Sequence, residues 1–289
     1  MSFKWTQYHN WEDFEKDTLQ DLLHDKFQNS IMLRAIKRHK TQALNDSIRL
    51  VSVKENERNV LIGFQTLPYQ MLFYFTRGII NQDALSFYID KIIDMKWDIH
   101  QIQGDITGSK LFAQTYSKKA NKVYRLKETL IIYRLDELKQ SLIAPEGKFR
   151  QATQEDMDFL PQWSVDFYTE CRLDQQGRCI EFQKNKLATL LQNHYIWEVS
   201  NIPTSSACMF EVSEDTGNVS FVYTPPNHRK QGYAHANVWN ICNKYCEKYK
   251  NIMLYADANY PTSNKIYQDI GFKKLFENSQ YTFTNPEIE

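Results

Sequence analysis

The sequence predicts an α/β (α+β) protein made of two domains, because its two halves carry the same order of helices and strands. The chain has 289 residues, which suits one large or two ordinary domains, and 42% of them are hydrophobic. The first half reads α-α-β-β-β-α-β-α-β, and the second half follows a connector that ends at Pro145-Glu146-Gly147. We therefore expect one domain at residues 1–144 and another at residues 145–289.

The first half opens with two predicted helices at residues 11–40, where apolar residues recur at near-helical spacing. Short runs of strand-forming residues between turn residues follow. The predicted elements are strands at 48–53, 60–66 and 71–76, an amphipathic helix at 84–95, a strand at 99–102, a helix at 108–120 and a strand at 123–135.

The second half begins with a short strand at 149–152 and a helix at 154–171, which Thr153 caps together with Asp156. Gly271 stops the last predicted helix. The remaining predictions are a helix at 179–192, strands at 195–199, 206–212 and 219–223, a helix at 232–249, a strand at 252–256, a helix at 261–270 and strands at 272–276 and 281–283.

Composition argues against several classes of protein. Lys+Arg and Asp+Glu are both 35, so the chain lacks the basic excess of a general nucleic-acid binder. No apolar run reaches the roughly 18 residues that span a bilayer, and the N-terminal stretch is polar and acidic, unlike a signal peptide. The 5 cysteines lack C-x-x-C spacing and read as free thiols. We expect a cytoplasmic protein with no membrane and no nucleic-acid partner.

One stretch combines a strand, a break, an anion site and a helix start. Residues 221–223 favour a strand, and Pro225 and Pro226 end its hydrogen-bonding ladder. Gly232 then allows a ligand to approach the backbone, and the free N–H groups of the next helix attract a phosphate or pyrophosphate. The residues of this loop are Arg229, Lys230, Gln231, Gly232, Tyr233 and Ala234.

This loop resembles the Arg/Gln-x-x-Gly-x-Gly/Ala motif of the GNAT superfamily of acetyl-CoA-dependent N-acyltransferases. A second stretch strengthens the resemblance: a strand ends at Asp257, a short helix carries Tyr267, and Gly271-Phe272 opens the next strand. The resemblance is specific over about residues 148–285 and implies a mixed, mostly antiparallel sheet with helices on both faces. The first half matches only in element order and lacks the loop after residue 76, so the chain resembles a tandem whose first domain is degenerate.

The resemblance implies acetyl transfer from acetyl-CoA to an amine of a small molecule or peptide. Tyr267 would protonate the leaving thiolate, and backbone N–H groups of Val222, Tyr223 and Thr224 would polarise the thioester carbonyl and bind the pantetheine arm. Asn259, Ser263 and Asn264 are expected to contact the cosubstrate as well. For Tyr267 the alternative is a packing role, and for Asn259 and Ser263 it is helix capping.

The general base stays open between Glu170, Glu211 and Asp257. His194, His228 and His235 lack metal-ligand spacing, and we expect no metal. Cys242 and Cys246 lie one helical turn apart, which favours core packing over a redox pair.

Two other functions compete with the enzyme. One is a regulatory protein that binds CoA without turnover, and the other is a tRNA-dependent aminoacyl transferase, which also uses tandem GNAT-like domains. The intact loop and Tyr267 favour an acetyltransferase, and zero net charge argues against the tRNA enzyme. The acceptor amine and the oligomeric state, a homodimer included, are left open by the sequence.

Overall fold

A computed structural model describes residues 2–39, 43–140, 145–173 and 176–286 of the chain. It contains twelve strands and eight α-helices in these residues. The strands are β1 (Phe3–Gln7), β2 (Ile48–Glu55), β3 (Arg58–Thr66), β4 (Met71–Phe75), β5 (Gln101–Asp105), β6 (Val123–Leu135), β7 (Lys148–Gln151), β8 (His194–Val199), β9 (Ile202–Ser213), β10 (Thr216–Tyr223), β11 (Asn251–Asp257) and β12 (Phe272–Thr284). The helices are α1 (Trp11–His24), α2 (Ser30–His39), α3 (Gln82–Asp94), α4 (Ile106–Ala120), α5 (Leu160–Glu170), α6 (Ile180–Leu190), α7 (Tyr233–Tyr245) and α8 (Pro261–Ile270).

The chain forms two compact units. The first comprises Met1–Ile132, Asp257–Asn259 and Phe276–Glu289, and the second comprises Tyr133–Ala256 and Tyr260–Leu275. This division differs from the predicted boundary at 144 and 145, which falls beside residues 141–144, outside the described residues. The difference arises because the end of β12 pairs with β5 of the first unit, between Asn278–Asp105 and Thr282–Gln101.

In the first unit the strand order is β1-β2-β3-β4-β5-β12-β6. The pairing of β4 with β5 is parallel, whereas β1–β2, β2–β3, β3–β4 and β5–β12 are antiparallel. Helices lie on both faces, as consecutive residues of β3 demonstrate. A Cβ on Gly63 would stand 2.1 Å from the Tyr88 hydroxyl of α3, whereas the Phe64 ring lies 6.0 Å from the Trp11 ring of α1.

In the second unit the strand order is β11-β10-β9-β8-β7. Only β10–β11 is parallel among these pairs; the other three are antiparallel. Neighbouring residues of β8 again point to helices on opposite faces. The Tyr195 hydroxyl lies 2.7 Å from that of Tyr245 on α7, and Ile196 packs with Leu160 and Leu187 of α5 and α6. The predicted mixed, mostly antiparallel sheet with helices on both faces is confirmed.

Several predicted elements are wrong in detail. The predicted helix at 154–171 is a 3₁₀ turn, Gln154–Asp158, followed by α5, because Pro161 lacks an N–H group and begins a new helix. The capping box of Thr153 and Asp156 is present. Residues 272–276 and 281–283 belong to one strand, β12. Strand β1 was not predicted, although Phe3 and Trp5 alternate with Lys4 and Thr6, because a run of five residues is too short to stand out.

Candidate active site

The site begins where two neighbouring parallel strands separate. Pairing between β10 and β11 runs from Thr216–Asn251 to Val219–Leu254 and ends there. Beyond this point β10 bulges between Ser220 and Tyr223, and Phe221 has a φ of 53°. A bulge in a strand turns backbone N–H groups away from the ladder. Val222 and Tyr223 therefore lie past the part of β10 that pairs with β11, at the opening between these two strands, while Tyr223 still pairs with Ser206 of β9.

The opening of β10 leads directly into the predicted phosphate loop. Pro226–His228 form a single 3₁₀ turn, after which Lys230 and Gly232 take φ values of 63° and 84°. Gly232 is the N-cap of α7 and supplies no side chain to cap it. The first N–H groups of this 13-residue helix thus lack both helical and side-chain partners, which is the arrangement that binds anions.

Arg229 braces this loop against α5. Its Nε donates to the Thr224 carbonyl at 2.8 Å, and its Nη2 contacts both carboxylate oxygens of Glu170 at 2.7 and 2.8 Å. The Lys230 side chain is exposed, and no ion pair to it occurs among the described residues. The Tyr233 hydroxyl donates to Gln231 Oε1 at 2.9 Å. Arg229 therefore holds the loop in place, and Lys230 is the exposed cation of the motif.

Thr224 and Tyr223 are tied to strand β9. The Ser205 hydroxyl donates to the Tyr223 carbonyl at 3.1 Å and lies 3.0 Å from the Thr224 hydroxyl. The Tyr223 hydroxyl is 3.4 Å from Asp166. Burial, followed by the negative charges of Asp166 and Glu170, raises the pKa of Tyr223 to about 12. Tyr223 is therefore a neutral phenol at physiological pH.

Tyr267 lies buried on α8 in the second unit. Its ring is 6.2 Å from that of Tyr133 and 6.1 Å from that of Phe272. Burial raises the pKa of its hydroxyl, and the neighbouring Cys171 and Tyr133 raise it further. Within the part of the chain that the structure describes, no hydrogen bond to this hydroxyl is formed.

The polar residues before Tyr267 organise the start of α8. Ser263 Oγ and Asn264 Nδ2 both donate to the Tyr260 carbonyl, at 3.0 and 2.9 Å. The N-cap position is Tyr260 and receives no side-chain cap, so the capping alternative for Asn259 and Ser263 is wrong. Asn259 N–H donates to Asp257 Oδ1 at 2.8 Å, and both residues group with the first unit.

An aromatic wall formed by α5 faces the bulge and was not predicted. The Phe221 ring lies 5.0 Å from Phe167 and 5.7 Å from Tyr168, and the Tyr223 ring lies 5.9 Å from Trp163. Trp163 and Phe167 are four residues apart and share one face of α5, and Tyr168 lies next to that face. That spacing was visible in the sequence, but only the bulge of β10 reveals what the face contacts.

The candidates for a general base differ in their surroundings. Glu211 pairs opposite Gly217 at the closed end of β10, where Tyr249 and Lys248 contact it at 3.2 and 3.5 Å. Glu170 is held by Arg229. Asp257 accepts from Asn259 N–H. Glu170 lies beside the phosphate loop, where Arg229 already pairs with its carboxylate.

His194, His235 and Cys242 are buried in this half of the chain. Burial and the nearby Lys186 lower the pKa of His194 to about 4, and burial also lowers the pKa of His235. Burial raises the pKa of the Cys242 thiol, which packs in the core, while Cys246 is exposed. The described residues hold no group of three or more metal-ligating side chains. None of their helices is long and apolar enough to cross a membrane.

Comparisons with known proteins identify chains with a similar fold. Residues 200–281, which include the phosphate loop and Tyr267, match the family described as FR47-like protein. A GNAT-family acetyltransferase from Colwellia psychrerythraea superposes with a TM-score of 0.64 at 11% identity, over 97% of this chain and 100% of that one. A GCN5-related N-acetyltransferase from Sphaerobacter thermophilus gives 0.67 at 14% identity, over 99% and 97%.

A tandem GNAT protein from the clavulanic acid biosynthesis pathway also matches nearly the full length of this chain. It superposes with a TM-score of 0.56 at 8% identity, over 99% of this chain and 100% of that one. No curated protein matches the chain. At such identities the superpositions establish the fold. We conclude that this chain has the GNAT fold along its length, with an FR47-like segment at residues 200–281.

Proposed function

We propose that the protein is an N-acetyltransferase that moves an acetyl group from acetyl-CoA to an amine of a small molecule or peptide, by direct attack in a ternary complex. The observation that carries this proposal is the junction of two features: β10 and β11 separate after Val219–Leu254, and β10 leads into the uncapped start of α7. The first opens a slot for a thioester arm, and the second supplies a pyrophosphate site beside it.

The phosphate loop and the edge of β10 bind different parts of acetyl-CoA. N–H groups at Gln231 to Ala234, the dipole of α7 and the exposed Lys230 bind the pyrophosphate. The free backbone edge at Val222 to Thr224 accepts the pantetheine as an added strand. Ser263, which is partly exposed at the start of α8, contacts the cosubstrate, and the buried Asn264 holds the first turn of α8 through its bond to the Tyr260 carbonyl. Arg229 acts indirectly, because its bonds to Glu170 and Thr224 fix the loop.

The chemical step forms a C–N bond and breaks a C–S bond. An N–H group of the β10 bulge donates to the thioester oxygen, where negative charge develops. Tyr267 gives its proton to the departing sulfur. Burial raises the pKa of its hydroxyl, so the group is a neutral phenol before the reaction. The attacking amine passes its proton to water or a carboxylate at the opening.

The surroundings of the bulge suit an amine with an apolar body. Phe221, Phe167 and Trp163 form an apolar surface, and the carboxylate of Asp166 attracts a cation. We place this activity in the cytoplasm, where the cysteines, all free among the described residues, stay reduced.

The decisive experiment incubates the full chain with acetyl-CoA and a panel of amines and measures released thiol. We expect turnover with aryl-alkyl amines or peptides with an aromatic N-terminal residue, and none with Gly232→Asp. Binding of acetyl-CoA by calorimetry without release of thiol for any amine would instead assign a CoA-binding protein without turnover. Absence of both binding and turnover would refute the proposal.

A further inference from the structure

The first unit contains an open cavity of about 400 Å³ beside the end of β4. The turn after α1, the residues that follow β4 and the end of β5 line it, together with Phe276. Its volume lies within the range of small-molecule sites, about 300–1,000 Å³. The proposed acetyl transfer does not use this cavity.

The cavity is unsuited to CoA. It lies after β4 and against the end of α1, as the candidate active site of the second unit lies after β10 and against the end of α5. In the first unit, however, the helix that follows is capped, because the Asn81 side chain accepts from Ala84 N–H at 3.0 Å. The loop also lacks the Arg-x-x-Gly-x-Gly/Ala pattern. The ligand must therefore be recognised by other groups.

One side of the cavity carries an exposed guanidinium. Arg77 has a φ of 56°, and its guanidinium forms no ion pair with any residue in the described ranges. Beside it, a Cβ on Gly78 would meet nothing within 4 Å, so there is room for a ligand. The planar fork of an arginine binds a carboxylate through two parallel hydrogen bonds.

Two carboxylates lie elsewhere on the lining. Asp25 accepts a short hydrogen bond from the Tyr74 hydroxyl, which itself accepts from Arg77 N–H at 2.9 Å. Asp105 Oδ1 accepts from Gly108 N–H at 2.8 Å. Each carboxylate has further lone pairs for a cation. Tyr74 therefore holds the backbone of Arg77 close to Asp25, so that both residues line the same cavity.

The remaining wall is aromatic. Phe27 and Phe276 are half-buried and line the cavity, and Phe75 is buried beneath it. His24 lies 3.4 Å from Asp25, and the Lys26 ammonium lies 5.6 Å from the Phe27 ring. The cavity thus offers a cation, carboxylates and an apolar wall to one ligand.

We propose that this cavity binds a free amino acid with an apolar or aromatic side chain. Its carboxylate pairs with Arg77, its ammonium group pairs with Asp105 and Asp25, and its side chain packs against Phe27 and Phe276. This assignment is independent of acetyl transfer, which belongs to the second unit.

Calorimetry with the full chain and L-phenylalanine tests this assignment. We expect one saturable site, and Arg77→Gln should weaken binding by about 10- to 100-fold, because a charge-assisted hydrogen-bond pair is lost. Arg58→Gln, another exposed arginine of the same unit outside the cavity, should bind like the wild type. Equal melting temperatures check that both variants fold.

Ligand analogues provide a second arm that needs no variant. On the wild-type chain, 3-phenylpropionate and 2-phenylethylamine each lack one charged group and should bind at least about 10-fold more weakly than L-phenylalanine. Equal binding of either analogue, unchanged affinity in Arg77→Gln, or displacement of the amino acid by CoA would overturn the assignment. Absence of binding at millimolar concentrations of apolar amino acids would also overturn the assignment.

Discussion

The Arg229 guanidinium and the Glu170 carboxylate are joined by two contacts of 2.7 and 2.8 Å, which link the phosphate loop to the end of α5. Arg229 is the first residue of the loop motif, and Glu170 is a candidate general base. In this ion pair the guanidinium and the carboxylate neutralise each other's charge. The pair therefore positions the loop and makes Glu170 a poor base as long as it persists.

Glu170→Gln tests this assignment. Both side chains are more than 40% exposed, so we expect only a two- to five-fold loss of CoA affinity and an unchanged melting temperature. Calorimetry and steady-state kinetics measure both quantities. The matched control is Glu181→Gln, at an exposed position of α6. A fall of kcat by 100-fold or more without a change in affinity would instead identify Glu170 as the base.

Gly232→Asp should abolish binding of acetyl-CoA. The substitution places a side chain and a negative charge at the N-cap of α7, at a φ of 84° that disfavours any residue with a Cβ. Gly232→Ala should retain weaker binding, because it adds bulk without charge. Titration of wild type should give one site per chain, since only the second half carries the loop. Two equivalent sites would contradict this view of the first unit.

Tyr267→Phe should lower kcat by roughly 100-fold and leave CoA affinity nearly unchanged. The ring keeps its contacts with Tyr133 and Phe272, and the hydroxyl has no protein hydrogen bond to lose among the described residues, so stability should hold as well. Tyr249→Phe is the control, because it removes a bond to Glu211 far from the opening and should cost about 1 kcal/mol of stability at normal kcat. Turnover within threefold of wild type would make Tyr267 a packing residue.

The lowered pKa of His194 predicts that the protein loses stability in acid. Its pKa is lowered to about 4 in the folded chain, against an ordinary value of 6.5, so the unfolded state binds the extra proton between these values. The stabilisation is complete above pH 6.5 and is lost as the pH falls toward 4, by up to about 3 kcal/mol. Urea unfolding at pH 7, 5.5 and 4.5 measures the slope. His194→Gln should flatten it, whereas His100→Gln at an exposed site should not.

The parts of the fold that could be predicted are those with a local signal. Helices such as α3 and α7 and the buried strand β11 were predicted from periodicity and apolar runs. Strand β5 was placed two residues early, because its buried Gln103 reads as polar and is satisfied by Gln280 from the other end of the chain. Such pairings are invisible to local patterns.

The residues of the candidate active site also separate into those with a local sequence signal and those without one. Residues in the loop and around Tyr267 follow one another in the sequence, and their spacing identified them. The aromatic wall of α5 and the bond between Arg229 and Glu170 join residues about 60 positions apart, through the bulge at Phe221. Tertiary contacts of this kind arise only once β10 bends, and no residue spacing encodes them.

Strand β12 is synthesised long after its partner β5, and this delay affects folding on the ribosome. Gln280 reaches Gln103 across 177 residues of chain, and β5 has no antiparallel partner until that segment emerges from the ribosome. At roughly 5–20 residues per second, translation takes about 9 to 35 s to cover this distance. Throughout that interval the nascent first unit presents an open sheet edge. The polar Gln101 and Gln103 make this edge less apolar while synthesis is completed.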